Sequence, residues 1–267
     1  MANPIIFDRR RVRLHRDRVA EHLTDFLLKE MCERLCERLP DVARRFPLAL
    51  DLGAHTGEIA RTLSGRGGIE TLVQCDLSEA MIKKTAGQRL AADEELLPFA
   101  DNSFDLIISA GSLHWVNDLP GTLIQINRAL KPDGLFLAML PGGETLKELR
   151  HCFERAEMEM RGGISPRISP YVDVRDGGSL LQRAGFQLPV TDSEILTVSY
   201  PHPLKLLHDL RGMGEGNALY ESQKTFTPCS LLMGAVDHYL RDYSDAQGRI
   251  PATFELVTLT GWKKAKS

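Results

Sequence analysis

Short apolar runs alternate with segments of helical periodicity through the first half of the chain. Four runs, at residues 48–52, 71–76, 104–110 and 135–140, are bounded by turn residues. Runs of this kind are typical of parallel strands that are buried on both faces. Between them apolar residues recur every three or four positions, as in 119–130, which predicts amphipathic helices. The alternation predicts an α/β fold with a doubly wound, Rossmann-like sheet.

The same periodicity divides the chain into three parts. Apolar residues at helical spacing predict an N-terminal helical extension over residues 1–46. Residues 47–161 are expected to form the core of the sheet, and residues 162–267 to complete it. In this last part, helices are expected between about 200 and 248, before a final strand at 253–262. Such an insertion would cover the open edge of the sheet and shape a pocket.

The turn after the first strand, residues 51–57, is the first candidate binding element. Gly53 and Gly57 allow the backbone to approach a ligand where a Cβ would clash. The helix that follows would point its free N–H groups back at that ligand. The turn lacks the glycine spacing of dinucleotide-binding loops and the lysine of phosphate-binding loops. Asp51 would repel phosphate, so it indicates a cationic or amino-bearing ligand.

A second acid, Asp76, ends the second strand about 20 residues after the turn, where a carboxylate can accept both hydroxyls of a ribose. NAD-binding folds use the same arrangement, so Asp76 by itself indicates an adenosine and not one particular cofactor. Because the carboxyl ends of parallel strands meet at one edge of a sheet, Asp51, Asp76 and Asp93 are expected to lie together there.

The turn resembles the first motif of the class I S-adenosylmethionine-dependent methyltransferases, D-x-G-x-G-x-G. The likeness rests on Asp51, Gly53 and Gly57, with His55 in place of the middle glycine. The His55 side chain is therefore expected to crowd the methionine portion of the cofactor or to force an unusual backbone angle. The resemblance implies S-adenosylmethionine as the cofactor and S-adenosylhomocysteine as its product.

The stretch around Asp93 extends this resemblance. In the family an acid at this place pairs with the adenine amino group; alternatively, Asp93 is a loop acid that caps a short helix. Asp93 and the turn at Asp51 both disfavour an NAD-dependent dehydrogenase. The cofactor contacts that the resemblance implies are Asp51, Gly53, Ala54, His55, Gly57, Asp76, Leu77, Ala92, Asp93, Glu94, Ser109, Ala110 and Gly111.

His114 follows the strand at 104–110, at the edge where ligands bind in a parallel sheet. It is the candidate catalytic residue, because a histidine there could orient an acceptor or take its proton. Equally, His114 and Trp115 could pack under the cofactor sulfonium. Both interpretations remain open from the sequence.

Several further stretches carry a narrower likeness. They are Phe7-Asp8-Arg9 and residues 141–150, 169–176, 212–219, 248–255 and 260–262. Together these stretches are similar to those of the mitochondrial complex I assembly-factor 5 family and its bacterial relatives. More distantly the chain resembles the methyltransferase that acts on malonyl-acyl-carrier protein in biotin synthesis.

This narrower resemblance implies a protein or carrier-protein acceptor, for example a subunit of complex I (NADH:ubiquinone oxidoreductase). Methyl transfer is the expected reaction. The alternatives are hydroxylation of an arginine in a complex I subunit, and a non-catalytic assembly chaperone that retains the cofactor pocket. An iron oxygenase site of two histidines and one carboxylate would support hydroxylation, but His208-Asp209 and Asp237-His238 do not have its spacing.

Several basic residues are candidates for acceptor binding. On the arginine-rich N-terminal segment, Arg9, Arg13 and Arg16 would share one helix face, as a lid over the cofactor or an anionic acceptor, or simply as a solvated face. Surface salt bridges or loop packing are equal alternatives for the later candidates, which are Arg150, Arg167, Tyr171 and Arg175.

Composition limits the remaining classes of function. The net charge of −3 over 267 residues gives no overall field that favours nucleic acid. The five cysteines are scattered, and Cys32 and Cys36 are interpreted as one helix face, so neither a disulfide framework nor a metal site is expected. This usage fits a reducing compartment, the cytoplasm of a bacterium or the mitochondrial matrix of a eukaryote. No apolar run reaches the ~18 residues of a membrane span.

Overall fold

The protein forms one sheet with helices on both faces, as described by a computed structural model. The structure describes residues 5–165, 167, 169–171, 173–222 and 227–265. Within them the strands are β1 (Leu48–Leu52), β2 (Thr71–Asp76), β3 (Gln88–Ala91), β4 (Phe104–Ala110), β5 (Leu130–Pro141), β6 (Phe186–Tyr200) and β7 (Ile250–Lys263).

The spatial order of the strands is β3-β2-β1-β4-β5-β7-β6. The first five run parallel, whereas β7 pairs antiparallel with both β5 and β6. All seven residues of β4 are buried, because the central strands of such a sheet are covered on both faces. The predicted doubly wound sheet is therefore confirmed, with an antiparallel pair added at one edge.

The helices of the described residues are α1 (Arg9–Val19), α2 (Phe26–Glu37), α3 (Glu58–Thr62), α4 (Glu79–Ile82), α5 (Leu119–Ala129), α6 (Lys147–Arg161), α7 (Val174–Arg183), α8 (Pro203–Gly212) and α9 (Cys229–Tyr243). Side-chain caps begin several of them: Asp8 accepts from the N–H of Arg11, and Ser78 from that of Met81. Each cap satisfies a backbone donor that the first turn leaves unpaired.

Three apolar clusters hold the helices to the sheet. On one face α2 packs through residues such as Met31 and Leu35 against β1, β4 and β5. On the other face α5 packs through Leu123 and Ile126. A third cluster joins α6, α8 and α9 to β7 and includes Phe254. The α2 cluster also contains Cys32 and Cys36, so both lie on one buried helix face, as the sequence indicated.

Element bounds differ from the sequence-based prediction at a few places. The short strand β3, at the sheet edge and exposed throughout, has no apolar signal and was not anticipated. The strand expected at 135–140 begins already at Leu130, and the last strand begins at Ile250 instead of 253. Helices α8 and α9 both lie within the stretch of about 200–248 where helices were expected. Among the described residues, no helix is both long and apolar enough to cross a membrane.

Candidate active site

The turn between β1 and α3 reaches the carboxyl edge of the sheet. Gly53 has a φ of +77°, and a Cβ on it would lie 2.1 Å from the Cβ of Ser112, so only glycine fits there. His55 also has a positive φ, of 47°, which is the unusual backbone angle expected from a side chain at a glycine position. The N–H of His55 donates to Asp76 Oδ2 at 2.9 Å and ties the turn to the end of β2.

Asp51 is fully buried at the end of β1. Neither of its carboxylate oxygens has a hydrogen-bond partner among the described residues. Burial, and then the nearby charge of Asp76, raise the pKa of Asp51 well above its ordinary value. A buried carboxylate without a partner is costly, so this place favours a cationic ligand.

Asp76 is buried and surrounded by donors. It accepts from the backbone N–H groups of Ser78 at 2.7 Å and His55 at 2.9 Å. Its third partner is the Arg16 guanidinium of α1, whose Nη1 lies 3.3 Å from both carboxylate oxygens. The Arg16 side chain is only 2% exposed. An arginine of the N-terminal helix thus lies beside the carboxylate that was predicted to bind a ribose.

The two other acids of this edge are also paired with α1. Arg16 Nη1 lies 3.0 Å from Glu94 Oε1, and Arg9 Nη2 donates to Asp93 Oδ1 at 2.6 Å and to Glu94. Burial alone would raise the pKa of Glu94, but Arg16 and Arg9 outweigh it and lower that pKa to about 2. We call Arg9, Arg16, Asp76, Asp93 and Glu94 the charged cluster.

A cavity adjoins the charged cluster on the α2 side of the turn. Its empty volume, including its open mouth, is about 710 Å³. Most of its wall is apolar, with contributions from α2, α8 and β7, and its polar end includes His55, His114, Tyr171 and Glu215. We call this space the acceptor cavity.

His114 and Glu215 meet at the polar end of the acceptor cavity. His114 Nε2 lies 3.0 Å from Glu215 Oε2, and Trp115 Nε1 donates to the same oxygen at 3.0 Å. His114 Nδ1 and both ring nitrogens of His55 are buried without hydrogen-bond partners among the described residues. Several polar atoms at this end are therefore left for a ligand to satisfy.

The remaining predicted cofactor residues lie at or near the same edge. Ser109 Oγ donates to the carbonyl of Leu52 at 2.6 Å, and the N–H of Ala92 donates to the carbonyl of Asp76. Gly111 lines the acceptor cavity. Leu77 packs against the cluster of Phe7 and Trp115. Ala54, Gly57 and Ala110 are buried in or beside the turn and β4.

The residues predicted to contact the acceptor lie in different parts of the structure. Tyr171 lines the acceptor cavity, and its ring lies 6.1 Å from that of His114. Arg9 belongs to the charged cluster. Arg13 is 57% exposed beside Asp17. Arg150 donates to the carbonyls of Gly143 and Thr145, Arg167 pairs with Glu157 at 2.7 Å, and Arg175 is exposed on α7.

For two residues of this site the sequence did not predict the contacts that the structure shows. Arg16 shares a helix face with Arg9, seven positions earlier, but nothing in the spacing showed that this face is buried. Glu215 belongs to the glycine-rich stretch 212–219, which gave a family likeness and no role. Both are brought to the site by segments distant from it in the chain.

Comparison with known proteins identifies the family. A family model described as a methyltransferase domain matches residues 50–138. The mitochondrial arginine-hydroxylase NDUFAF5 of Danio rerio is 42% identical over 97% of this chain and 83% of its own length. The chain belongs to the NDUFAF5 family of methyltransferase-fold proteins.

The chain is also similar to members of a second group. A malonyl-[acyl-carrier protein] O-methyltransferase of Gallionella capsiferriformans is 30% identical over 98% of this chain and 93% of its own. Among solved structures, the YcgJ protein of Bacillus subtilis superposes with a TM-score of 0.61 at 15% identity, over 89% of this chain and 99% of its own. This last likeness supports the fold alone, and together the comparisons confirm the class I methyltransferase fold and the resemblance found in the sequence.

Proposed function

We propose that this protein binds S-adenosylmethionine at the carboxyl edge of its sheet and transfers the methyl group to a protein or carrier-bound acceptor. The observation that carries the proposal is Asp51, a buried carboxylate without a partner among the described residues, beside the turn that resembles the family's cofactor motif. S-adenosylmethionine carries a methyl group on a positively charged sulfur and a cationic amino group. Asp51 would favour that positive charge.

The other carboxylates suit the adenosine portion. Asp76 would accept the ribose hydroxyls and Asp93 would pair with the adenine amino group. Of the described partners of Asp76, two are backbone N–H groups and the third is the Arg16 guanidinium. The arginine side chain is the partner that can leave without unfolding the turn. We therefore propose that α1 is a lid, and that adenosine binding replaces the contact between Arg16 and Asp76.

The acceptor would enter through the acceptor cavity. Its lining includes His55 of the turn and Gly111, which follows β4, so an acceptor there would lie near the methionine portion of the cofactor. Alignment of the acceptor with an already activated methyl group supplies much of the rate in such a reaction. By analogy with the relatives, the acceptor is a protein side chain, for example in a complex I subunit, or a carrier-bound acyl group. The protein would then act in the mitochondrial matrix of a eukaryote or in bacterial cytoplasm.

Hydroxylation is the second candidate reaction, because the relative at 42% identity is named an arginine-hydroxylase. Mass spectrometry of candidate acceptors, after incubation with protein and S-adenosylmethionine, separates the two reactions. A gain of one methyl group supports methyl transfer. A gain of one oxygen atom supports hydroxylation, and binding of the cofactor without either product supports an assembly chaperone.

Calorimetry tests the cofactor directly. We expect S-adenosylmethionine to bind and Asp51→Asn to weaken binding by about 1–3 kcal/mol, the range for leaving a buried hydrogen-bonding group unpaired. Asp101→Asn, at an exposed carboxylate that pairs with Arg128, is the matched control and should bind as the wild type does. Binding of NADH in place of S-adenosylmethionine would contradict the proposal.

A further inference from the structure

The polar end of the acceptor cavity contains a histidine whose two ring nitrogens have different surroundings. His114 Nε2 lies 3.0 Å from Glu215 Oε2. His114 Nδ1 is buried and has no hydrogen-bond partner among the described residues. The side chain of His114 is 2% exposed, so bulk water does not satisfy Nδ1.

The contact with Glu215 determines which nitrogen carries the proton. Burial would raise the pKa of Glu215, but His114, Arg16 and the Trp115 hydrogen bond outweigh this effect and keep it below its ordinary value. An ionised carboxylate only accepts hydrogen bonds. Nε2 of a neutral His114 must therefore carry the hydrogen, which leaves a lone pair on Nδ1.

Trp115 fixes the carboxylate in turn. Its Nε1 donates to the same oxygen of Glu215 that lies beside His114 Nε2. Trp115 and His114 both belong to the short segment that follows β4. Glu215 comes from the loop after α8, one hundred residues later. The His114 ring is thus held between two parts of the fold, and the centroid of the Tyr171 ring lies 6.1 Å from its own.

We propose that His114 is the general base for the acceptor and that Glu215 is the positioning residue that holds its ring and its tautomer. This inference rests on the proposed function. As the acceptor atom forms its bond to the methyl group, the methyl–sulfur bond breaks and its electron pair stays on sulfur. The N–H or O–H bond of the acceptor breaks as well, and that electron pair stays on the acceptor. The proton passes to Nδ1, and the resulting imidazolium is stabilised by the Glu215 carboxylate. Solvent takes the proton after product release.

The arrangement also selects the chemical class of the acceptor. Among the described residues that line the cavity, Glu215 is the only carboxylate and none is a lysine or an arginine. A carboxylate acceptor would meet the charge of Glu215 with no lysine or arginine among the described lining residues to pair with it, and it would have no proton to give. The acceptor class that fits is therefore one with an N–H or O–H group at the reacting atom.

The tautomer of His114 tests the role of Glu215 without any turnover. Long-range ¹H–¹⁵N correlation spectra of the full chain, recorded about two pH units above the ordinary histidine pKa of ~6.5, distinguish the two tautomers. His114→Gln assigns the signal by removing it. We expect the Nε2–H pattern in the wild type and in Glu215→Gln, whose amide oxygen can still accept, and a mixed pattern in Glu215→Ala.

A second histidine provides the matched control. His238 Nε2 lies 3.0 Å from Glu159 Oε2, and its Nδ1 is already occupied by Arg241. Glu159→Gln should leave the His114 signal unchanged. An Nδ1–H pattern for His114 in the wild type, or the same pattern in the wild type and Glu215→Ala, would overturn the proposal.

Two isosteric probes test the acceptor class on the wild-type protein. Butyramide has an apolar tail and an N–H donor, and butyrate has the same shape with a carboxylate. We expect butyramide to shift the Nδ1 signal of His114 saturably and butyrate to leave it unchanged at the same concentration. No shift with butyramide, or an equal shift with butyrate, contradicts the class assigned here. Calorimetry with S-adenosylmethionine reports separately on the proposed function, so the two failures are distinguishable.

Discussion

The charged cluster and the polar end of the acceptor cavity lie side by side at one sheet edge, yet their polar groups are satisfied in opposite ways. In the charged cluster every carboxylate is paired with an arginine of α1. Around the cavity and its turn, Asp51, His55 and His114 have buried polar atoms without partners among the described residues.

At the charged cluster a ligand would compete with arginine side chains of the protein, whereas at Asp51 and His114 it would satisfy polar atoms that have no partner among the described residues. A ligand at the charged cluster has to replace contacts that the chain already makes, so part of its binding free energy is lost. A ligand at Asp51 or His114 supplies hydrogen bonds that the folded chain lacks, which is favourable because buried polar groups without partners are costly. Although most of the carboxylates lie at the charged cluster, the methionine portion of the cofactor and the acceptor should therefore contribute more to affinity than the adenosine portion.

Removal of Arg16 should break the charged cluster most severely. Arg16→Met leaves Asp76 and Glu94 buried with one fewer cation, and we expect the free energy of unfolding to fall by about 3–5 kcal/mol. Urea denaturation measures it. Arg13→Met, at the exposed position on the same helix, should change stability by no more than about 1 kcal/mol. Equal effects of the two variants would show that the cluster does not support the fold.

Low pH should weaken the same cluster through Glu94. Because Arg16 and Arg9 hold its pKa at about 2, below the ordinary value of 4.5, its stabilising contribution is present above 4.5 and is lost as the pH falls toward about 2. A shift of this size corresponds to about 3 kcal/mol. Glu94→Gln should be less stable than the wild type at pH 7 and should lose less stability on acidification. Glu70→Gln, at an exposed carboxylate, should follow the wild type at every pH.

The contribution of Asp51 to stability should depend on pH with the opposite sign to that of Glu94. Its pKa is raised by burial, so the ionised form costs stability, and the wild type should become more stable as the pH falls through the raised pKa toward the ordinary value of 3.8. Without cofactor, Asp51→Asn should raise the free energy of unfolding at pH 7 by roughly 1–2 kcal/mol, although it weakens cofactor binding. Denaturation at two pH values checks this; a less stable Asp51→Asn would mean that the carboxylate has a partner.

Asp93 should give the smallest effect within the charged cluster. Its side chain is 32% exposed, and Arg9 keeps its contacts with Glu94 and with the carbonyl of Trp115 when Asp93 is changed. We expect Asp93→Asn to cost about 1 kcal/mol or less, measured by urea denaturation beside Arg16→Met. A loss as large as that of Arg16→Met would remove the distinction between the centre and the rim of the cluster.

Much of the fold could be predicted because its signals are local. Strands β1, β2 and β4 were located from apolar runs bounded by turn residues, and their bounds agree with the structure. The exposed strand β3 could not be located this way, because edge residues such as Gln88 and Arg89 carry no burial signal. Its position depends on pairing with β2, which is a non-local contact.

Local sequence patterns were sufficient to locate β1, β2 and β4, the turn and the three acids near the strand ends, because strand period, glycine turns and strand ends are properties of neighbouring residues. How those acids are satisfied depends on tertiary contacts. Arg16 reaches Asp76 across 60 positions, and Glu215 reaches His114 across 101. Such contacts depend on how distant helices and loops pack against the sheet, and local patterns of hydrophobicity do not contain that information.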